Sequence, residues 1–240
     1  MLFCALNAVK GMFIKMKRNG KNLLGLSFML VFAFVVWTYL LQTADIKPIG
    51  QNGTSVGLST LNKCFFEQTG VHMTLYTITD WLGFVPLFVC ISFGIVGLLQ
   101  MIKRKSLLKV DIDIILLGIY YIVVIFGYLI FETIPINYRP ILIDGRLEAS
   151  YPSSTTLLVL SVMPTLVFQV RQRIKNKTAV NTITILTALF SGFMVIGRMI
   201  SGVHWLTDIV GGVLLSSGLF YIYKGSVLTF DKRHKRSVRG

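Results

Sequence analysis

Acidic residues are scarce in this chain: 10 Asp and Glu stand against 24 Lys and Arg in 240 residues, and charges of both signs make up only 14%. So little charge excludes an ordinary soluble domain, in which about a quarter of residues are charged. Hydrophobic residues at 54% and a mean hydropathy of +0.70 point instead to a polytopic membrane protein. Cysteine is sparse as well. Cys4, Cys64 and Cys90 are scattered and form no CxxC pair, which excludes a disulfide framework and a cysteine metal site. Cys64, in an outer loop, is at most a lone thiol. Met1–Gly20 lacks a clean apolar stretch ending in small residues, so no cleavable signal peptide is expected. Internal repeats, low-complexity tracts and a polar second domain are absent too, and residues 1–240 are expected to form one transmembrane domain. With no cluster of ligating side chains, no metal and no cofactor is expected.

Against these absences stand six apolar runs, near 22–42, 78–102, 112–132, 155–172, 179–197 and 204–223. Each approaches the roughly 20 residues that cross a bilayer as a helix, so the expected fold is an all-α bundle of six transmembrane helices. The basic residues fix its orientation. Lys10, Lys15, Lys17, Arg18 and Lys21 precede the first run; Lys103, Arg104, Lys105 and Lys109 follow the second. Arg171, Arg173, Lys175 and Lys177 follow the fourth, and Lys224, Lys232, Arg233, Lys235, Arg236 and Arg239 follow the sixth. Six spans place all of these on one side and leave only Lys47, Lys63, Arg139, Arg146 and Arg198 on the other. By the positive-inside rule both termini are cytoplasmic. The net charge of +14 therefore serves topology, with the basic segments 1–21 and 225–240 facing anionic lipid rather than nucleic acid. Residues 1–14 read either as a short interfacial helix or as a frayed leader. The first outer loop, 43–77, carries an Asn52-Gly53-Thr54 sequon of a kind common by chance.

Polar chemistry gathers on the other, extracytoplasmic face, in three segments. Asn137-Tyr138-Arg139-Pro140 follows span three, Tyr151-Pro152-Ser153-Ser154-Thr155 opens span four, and Arg198 to Asp208 leads into span six. His204 and Asp208, four residues apart, share one face of a helix. A carboxylate there can hold the imidazole in one tautomer while its other nitrogen attacks. Arg139 and Arg198 offer planar forks of donors suited to phosphate oxygens. Ser153 and Ser154 add hydroxyls beside the free N–H groups of a helix start, although both also suit a capping role. A carboxylate inside a span costs about 2.5–3.5 kcal/mol at the helix centre, so Asp208 needs a partner. Asp144, Arg146 and Glu148 read as solvated loop charges, with Asp144 or Glu148 near enough to approach the site. His72 reads as a lone loop histidine. Asp80-Trp81 marks the interface where span two begins, and Trp37 and Trp205 suit the same aromatic belt. Phe28, Phe32 and Phe34 face lipid or pack.

These segments resemble the type 2 phosphatidic acid phosphatase superfamily, which includes lipid phosphate phosphatases and undecaprenyl-diphosphate phosphatases. Its pattern is Lys, six residues, Arg-Pro; then Pro-Ser-Gly-His; then Ser-Arg, five residues, His, three residues, Asp. Arg139-Pro140, Pro152-Ser153 and Arg198-His204-Asp208 fall in that order and spacing. The resemblance covers spans three to six. It implies that His204 is the nucleophile and forms a phosphohistidine, that Asp208 orients it, and that Arg139, Arg198, Ser153 and Ser154 hold the phosphoryl oxygens. It also implies a lipid phosphate or diphosphate as partner in the bilayer. Three positions depart from the pattern: Glu132 replaces the lysine, Thr155 the histidine that protonates the leaving group, and Gly197 the serine before Arg198. A threonine cannot act as a general acid, a loss of about 10²–10⁴ in rate. Either the substrate is a diphosphate, whose phosphate leaving group needs little protonation, or Glu132 supplies the acid from a buried setting. The alternative is a catalytically impaired relative that binds lipid phosphate or assists another membrane protein.

Overall fold

A computed structural model describes residues 20–237, with side chains as far as Asp231. The expected interfacial helix or leader over 1–14 and the end of the basic tail lie outside the described residues. The fold is all-helical, and six helical stretches are long and apolar enough to cross a membrane. In chain order the helices are α1 (Gly20–Thr43), α2 (Ser59–Thr69), α3 (Met73–Leu82), α4 (Phe84–Arg104), α5 (Ile112–Thr133), α6 (Ser154–Arg173), α7 (Lys177–Ile200) and α8 (Leu206–Ser237).

Span two starts earlier than the apolar run suggests, and it is two helices, not one. The reason is Pro86, which has no N–H to donate and whose ring crowds the carbonyl four residues back, at Leu82. The ladder breaks at Gly83, whose N–H turns back to the carbonyls of Thr79 and Asp80 at 3.1 and 3.0 Å. Two features fall inside stretches read as plain connections. The connection at 43–77 folds in part into α2, and residues 137–149 form a short hairpin. Tyr138 bridges Ala149 and Ile143 bridges Arg146 across a turn at Asp144-Gly145, both with positive φ. Asp-Gly is the pair such a turn requires.

α6 is the central helix: half of its apolar window is buried, against 6% for Met73–Arg104. Hydrogen bonds cross from it to neighbouring helices, as an apolar medium favours. Tyr120 donates to the Ser161 carbonyl at 2.9 Å, Tyr121 and Thr165 share a bond of 2.7 Å, and Gln169 meets Tyr223. α1 lies along α8, and Phe34, Tyr151, Leu157 and Leu215 close one core cluster between them and α6. Phe28 and Phe32 point outward, exposed by 74% and 61%, while Phe34 packs inside. At the end where α8 starts, Asn62 of α2 clamps that start, donating to Thr207 Oγ1 at 3.0 Å and accepting from its N–H at 3.2 Å.

Candidate active site

The hairpin after α5 carries Arg139 inward. Arg139 N–H donates to the Glu148 carbonyl and Ser150 N–H to the Asn137 carbonyl, at 3.0 and 2.9 Å. Gln51, from the connection between α1 and α2, ties the same segment down through the Pro140 carbonyl at 2.9 Å. Glu148 is therefore not a solvated loop charge: its Oε2 lies 3.1 Å from Arg139 Nη2.

His204 lies in the turn before α8, not on the helix itself, and is buried. Its Nδ1–H donates to the Ser150 carbonyl at 3.1 Å. A carbonyl can only accept, so the proton is on Nδ1 and Nε2 presents its lone pair, with no partner in the protein. Asp208 comes within 3.7 Å of Nδ1, but the bond that orients the ring is the one to Ser150. The Asp208 carboxylate accepts the Trp205 N–H at 2.9 Å, the back-reaching half of a capping box. It thereby shapes the turn that presents His204. Trp205 is accordingly not a belt residue: it is 3% exposed, and its ring N–H donates to the Tyr138 carbonyl at 2.8 Å. The turn relies on Gly202, at φ +72, where a Cβ would stand 2.2 Å from the Gly70 carbonyl oxygen. Burial, with Arg139 and Arg198 nearby, holds His204 well below the ordinary imidazole pKa, so the ring is neutral and nucleophilic.

Arg198 is 1% exposed and Arg139 8%. Both guanidinium groups lie over the ring of Tyr76, at 4.9 and 5.8 Å from its centroid. Nε and Nη1 of each arginine, like the Ser153 hydroxyl, have no hydrogen-bond acceptor in the protein. Ser153 occupies the N-cap position of α6 without capping it, while its N–H donates to the Asp208 carbonyl at 3.1 Å. Five buried donors and one bare imidazole nitrogen thus surround the mouth of α6, where backbone N–H groups also favour an anion. Such a set can bind a tetrahedral oxyanion and attack its centre.

The departing positions fall on the rim. Thr155 is buried in the first turn of α6 and, with Ser154, lines a cavity of about 470 Å³ walled by Phe84, Leu87, Val124 and Leu158. Glu132 is exposed on the last turn of α5, beside a shallow recess near Ser150, and forms no ion pair among the described residues. Its side chain is not in the buried setting expected of a substitute acid. His72 is exposed and its ring Nε2 faces the Thr69 carbonyl at 2.8 Å.

Two site residues escape the sequence reading. Tyr76 stacks against both arginines, and Asp80 places Oδ1 at 3.5 Å from Arg198 Nη1. Both are on α3. Their only signal is spacing: Tyr76 and Asp80 are four apart and share a helix face, but nothing in the sequence shows that this face meets Arg198.

Residues 114–231 match the family model described as the PAP2 superfamily. The match contains every candidate site residue from Glu132 to Asp208 but neither Tyr76 nor Asp80. Among solved structures, the fold is similar to that of a transmembrane PAP2-type phosphatidylglycerolphosphate phosphatase from Bacillus subtilis. Identity is 18% and the TM-score 0.61, with 86% of this chain and 96% of that chain covered. No curated protein matches the chain.

Proposed function

Taking as premise that residues 114–231 belong to the PAP2 superfamily, we propose that this protein hydrolyses a membrane lipid phosphate or diphosphate through a phosphohistidine. The observation that carries the reading is His204, neutral, pinned at Nδ1 and bare at Nε2, beside two buried arginines with unmatched donors.

On this reading the phosphoryl group enters between Arg139, Arg198 and Ser153, with Ser154 at the helix mouth. Nε2 of His204 attacks phosphorus in line with the lipid oxygen. Charge developing on the equatorial oxygens meets the arginine forks, which are already desolvated and so cost little reorganisation. The Ser150 carbonyl and Asp208 stabilise the imidazole as it gains positive character. Water then attacks the phosphohistidine and inorganic phosphate is released, while the lipid product stays in the bilayer. The basic segments at 103–109 and 171–177 put the opposite end of the bundle in the cytoplasm. The site then faces the extracytoplasmic side, and the whole of 1–240 acts as one domain.

The test is to trap the intermediate. Detergent-purified protein is mixed briefly with ³²P-labelled phosphatidic acid, denatured in alkali and resolved by electrophoresis. Protein-bound label that is stable to base and lost in acid is expected from wild type and absent from His204→Ala. Label retained in His204→Ala would overturn the mechanism. No label, with no release of phosphate, would favour a lipid-phosphate-binding role.

A further inference from the structure

Resting on that reading, we propose that Asp80 supplies and retrieves the leaving-group proton, in place of the histidine that the family pattern has at position 155. Thr155 cannot do so, and Glu132 pairs with neither Arg139 nor Arg198 among the described residues. Asp80, though its side chain is 56% exposed, has the required position. Its carboxylate is 3.5 Å from Arg198, the residue expected to hold the phosphoryl group. It also lines the same cavity as Thr155 and Ser154, and among the residues lining that cavity it is the one carboxylate. The cavity's remaining wall is almost wholly apolar, and a volume near 470 Å³ is within the range of small-molecule sites. A lipid lying along it with its phosphate on Arg198 puts the ester oxygen between phosphorus and the apolar wall, on Asp80's side.

The Gly197 departure explains how Asp80 arrives. A Cβ at position 197 would come 2.7 Å from Thr79 Cγ2 and 3.6 Å from Leu75 Cδ1. Glycine there lets α3 press against α7 at the residues just before Asp80 and Arg198. The glycine at 197 thus goes with a close α3–α7 contact that sets the Asp80 carboxylate beside Arg198.

The proton balance closes without an outside reagent. A monoanionic phosphate monoester brings one P–OH. The Asp80 carboxylate takes that proton as the three bare oxygens settle against Arg139 and Arg198. His204 Nε2 then bonds to phosphorus, the P–O bond to the lipid breaks, and Asp80 gives its proton to the departing oxygen. In the second step a water oxygen bonds to phosphorus, its proton passes to the Asp80 carboxylate, and the P–N bond breaks to restore His204. Phosphate leaves with that proton.

Asp80 as a mere counter-ion of Arg198 gives a different result, because a counter-ion does not distinguish leaving groups. Purified wild type, Asp80→Asn and Asp80→Glu are compared on phosphatidic acid, which expels an alkoxide, and on p-nitrophenyl phosphate, which expels a weak base. His204→Ala is the control on both. Asp80→Asn is expected to lose about 10²–10⁴-fold in the single-turnover rate of phosphohistidine formation from phosphatidic acid and far less in that from the aryl ester, with Asp80→Glu recovering part of the loss. Adding Thr155→His to Asp80→Asn is expected to restore phosphatidic acid hydrolysis selectively. An equal loss on both substrates, or no loss, would overturn the assignment while leaving the phosphatase reading intact. If wild type showed no His204-dependent release from either substrate, the phosphatase reading would fall, and the Asp80 role with it.

Discussion

At the scale of single residues, the site is a set of polar groups held where an apolar medium makes them costly. That cost makes part of it legible in the sequence. Arg198, His204 and Asp208 stand at the edge of a hydrophobic run, and charged or titratable side chains there need a reason. What orients His204 is less legible, because the acceptor is the backbone carbonyl of Ser150, and a carbonyl has no letter of its own. The same surroundings make a prediction about pH. Burial and two arginines disfavour the protonated ring, so His204 stays neutral below the ordinary imidazole value of 6.5. kcat/KM, corrected for the titration of the substrate phosphate, is expected to stay level as pH falls through 6.5 and to decline only in more acid solution. An acid limb at or above that value would contradict a buried, neutral nucleophile.

At the scale of elements, hydropathy locates the spans well but not their contacts. The run at 112–132 becomes Ile112–Thr133 and that at 155–172 becomes Ser154–Arg173, because hydrophobic length alone sets such ends. Which face of a span meets another helix is hidden, since lipid and protein neighbours are equally apolar. The α3–α7 contact is the main example, and α2 and the hairpin at 137–149 are hidden for a different reason, being short and outside the apolar runs. The contact is testable by restoring the family residue. Gly197→Ser places a side chain against Thr79 Cγ2, and such overpacking costs about 1–3 kcal/mol. Thermal unfolding in detergent is expected to shift down, with activity falling as Asp80 is pushed away from Arg198. Adding Thr79→Ser removes Cγ2 while keeping the hydroxyl that bonds the Leu75 and Tyr76 carbonyls, and is expected to recover both. Gly197→Ser with wild-type stability and activity would contradict the close approach.

At the scale of the whole molecule, six spans gather the connections at one end into one polar cluster beside an apolar bundle. The central helix α6 brings its N-terminus to that cluster, while the hairpin, the turn before α8 and the broken second span each deliver one part of it. Much of this architecture follows from composition and charge placement. The joining of α3 to the rest does not, because it depends on Pro86 breaking a helix and on one glycine allowing a close approach. The central claim is that this assembly cleaves lipid phosphate with His204. Phosphate release from undecaprenyl diphosphate and from phosphatidic acid, measured for detergent-purified wild type beside His204→Ala, tests it most directly. The account predicts release from wild type that His204→Ala abolishes while still unfolding cooperatively at the wild-type temperature. Folded wild type that releases no more phosphate than the variant on either lipid would contradict it.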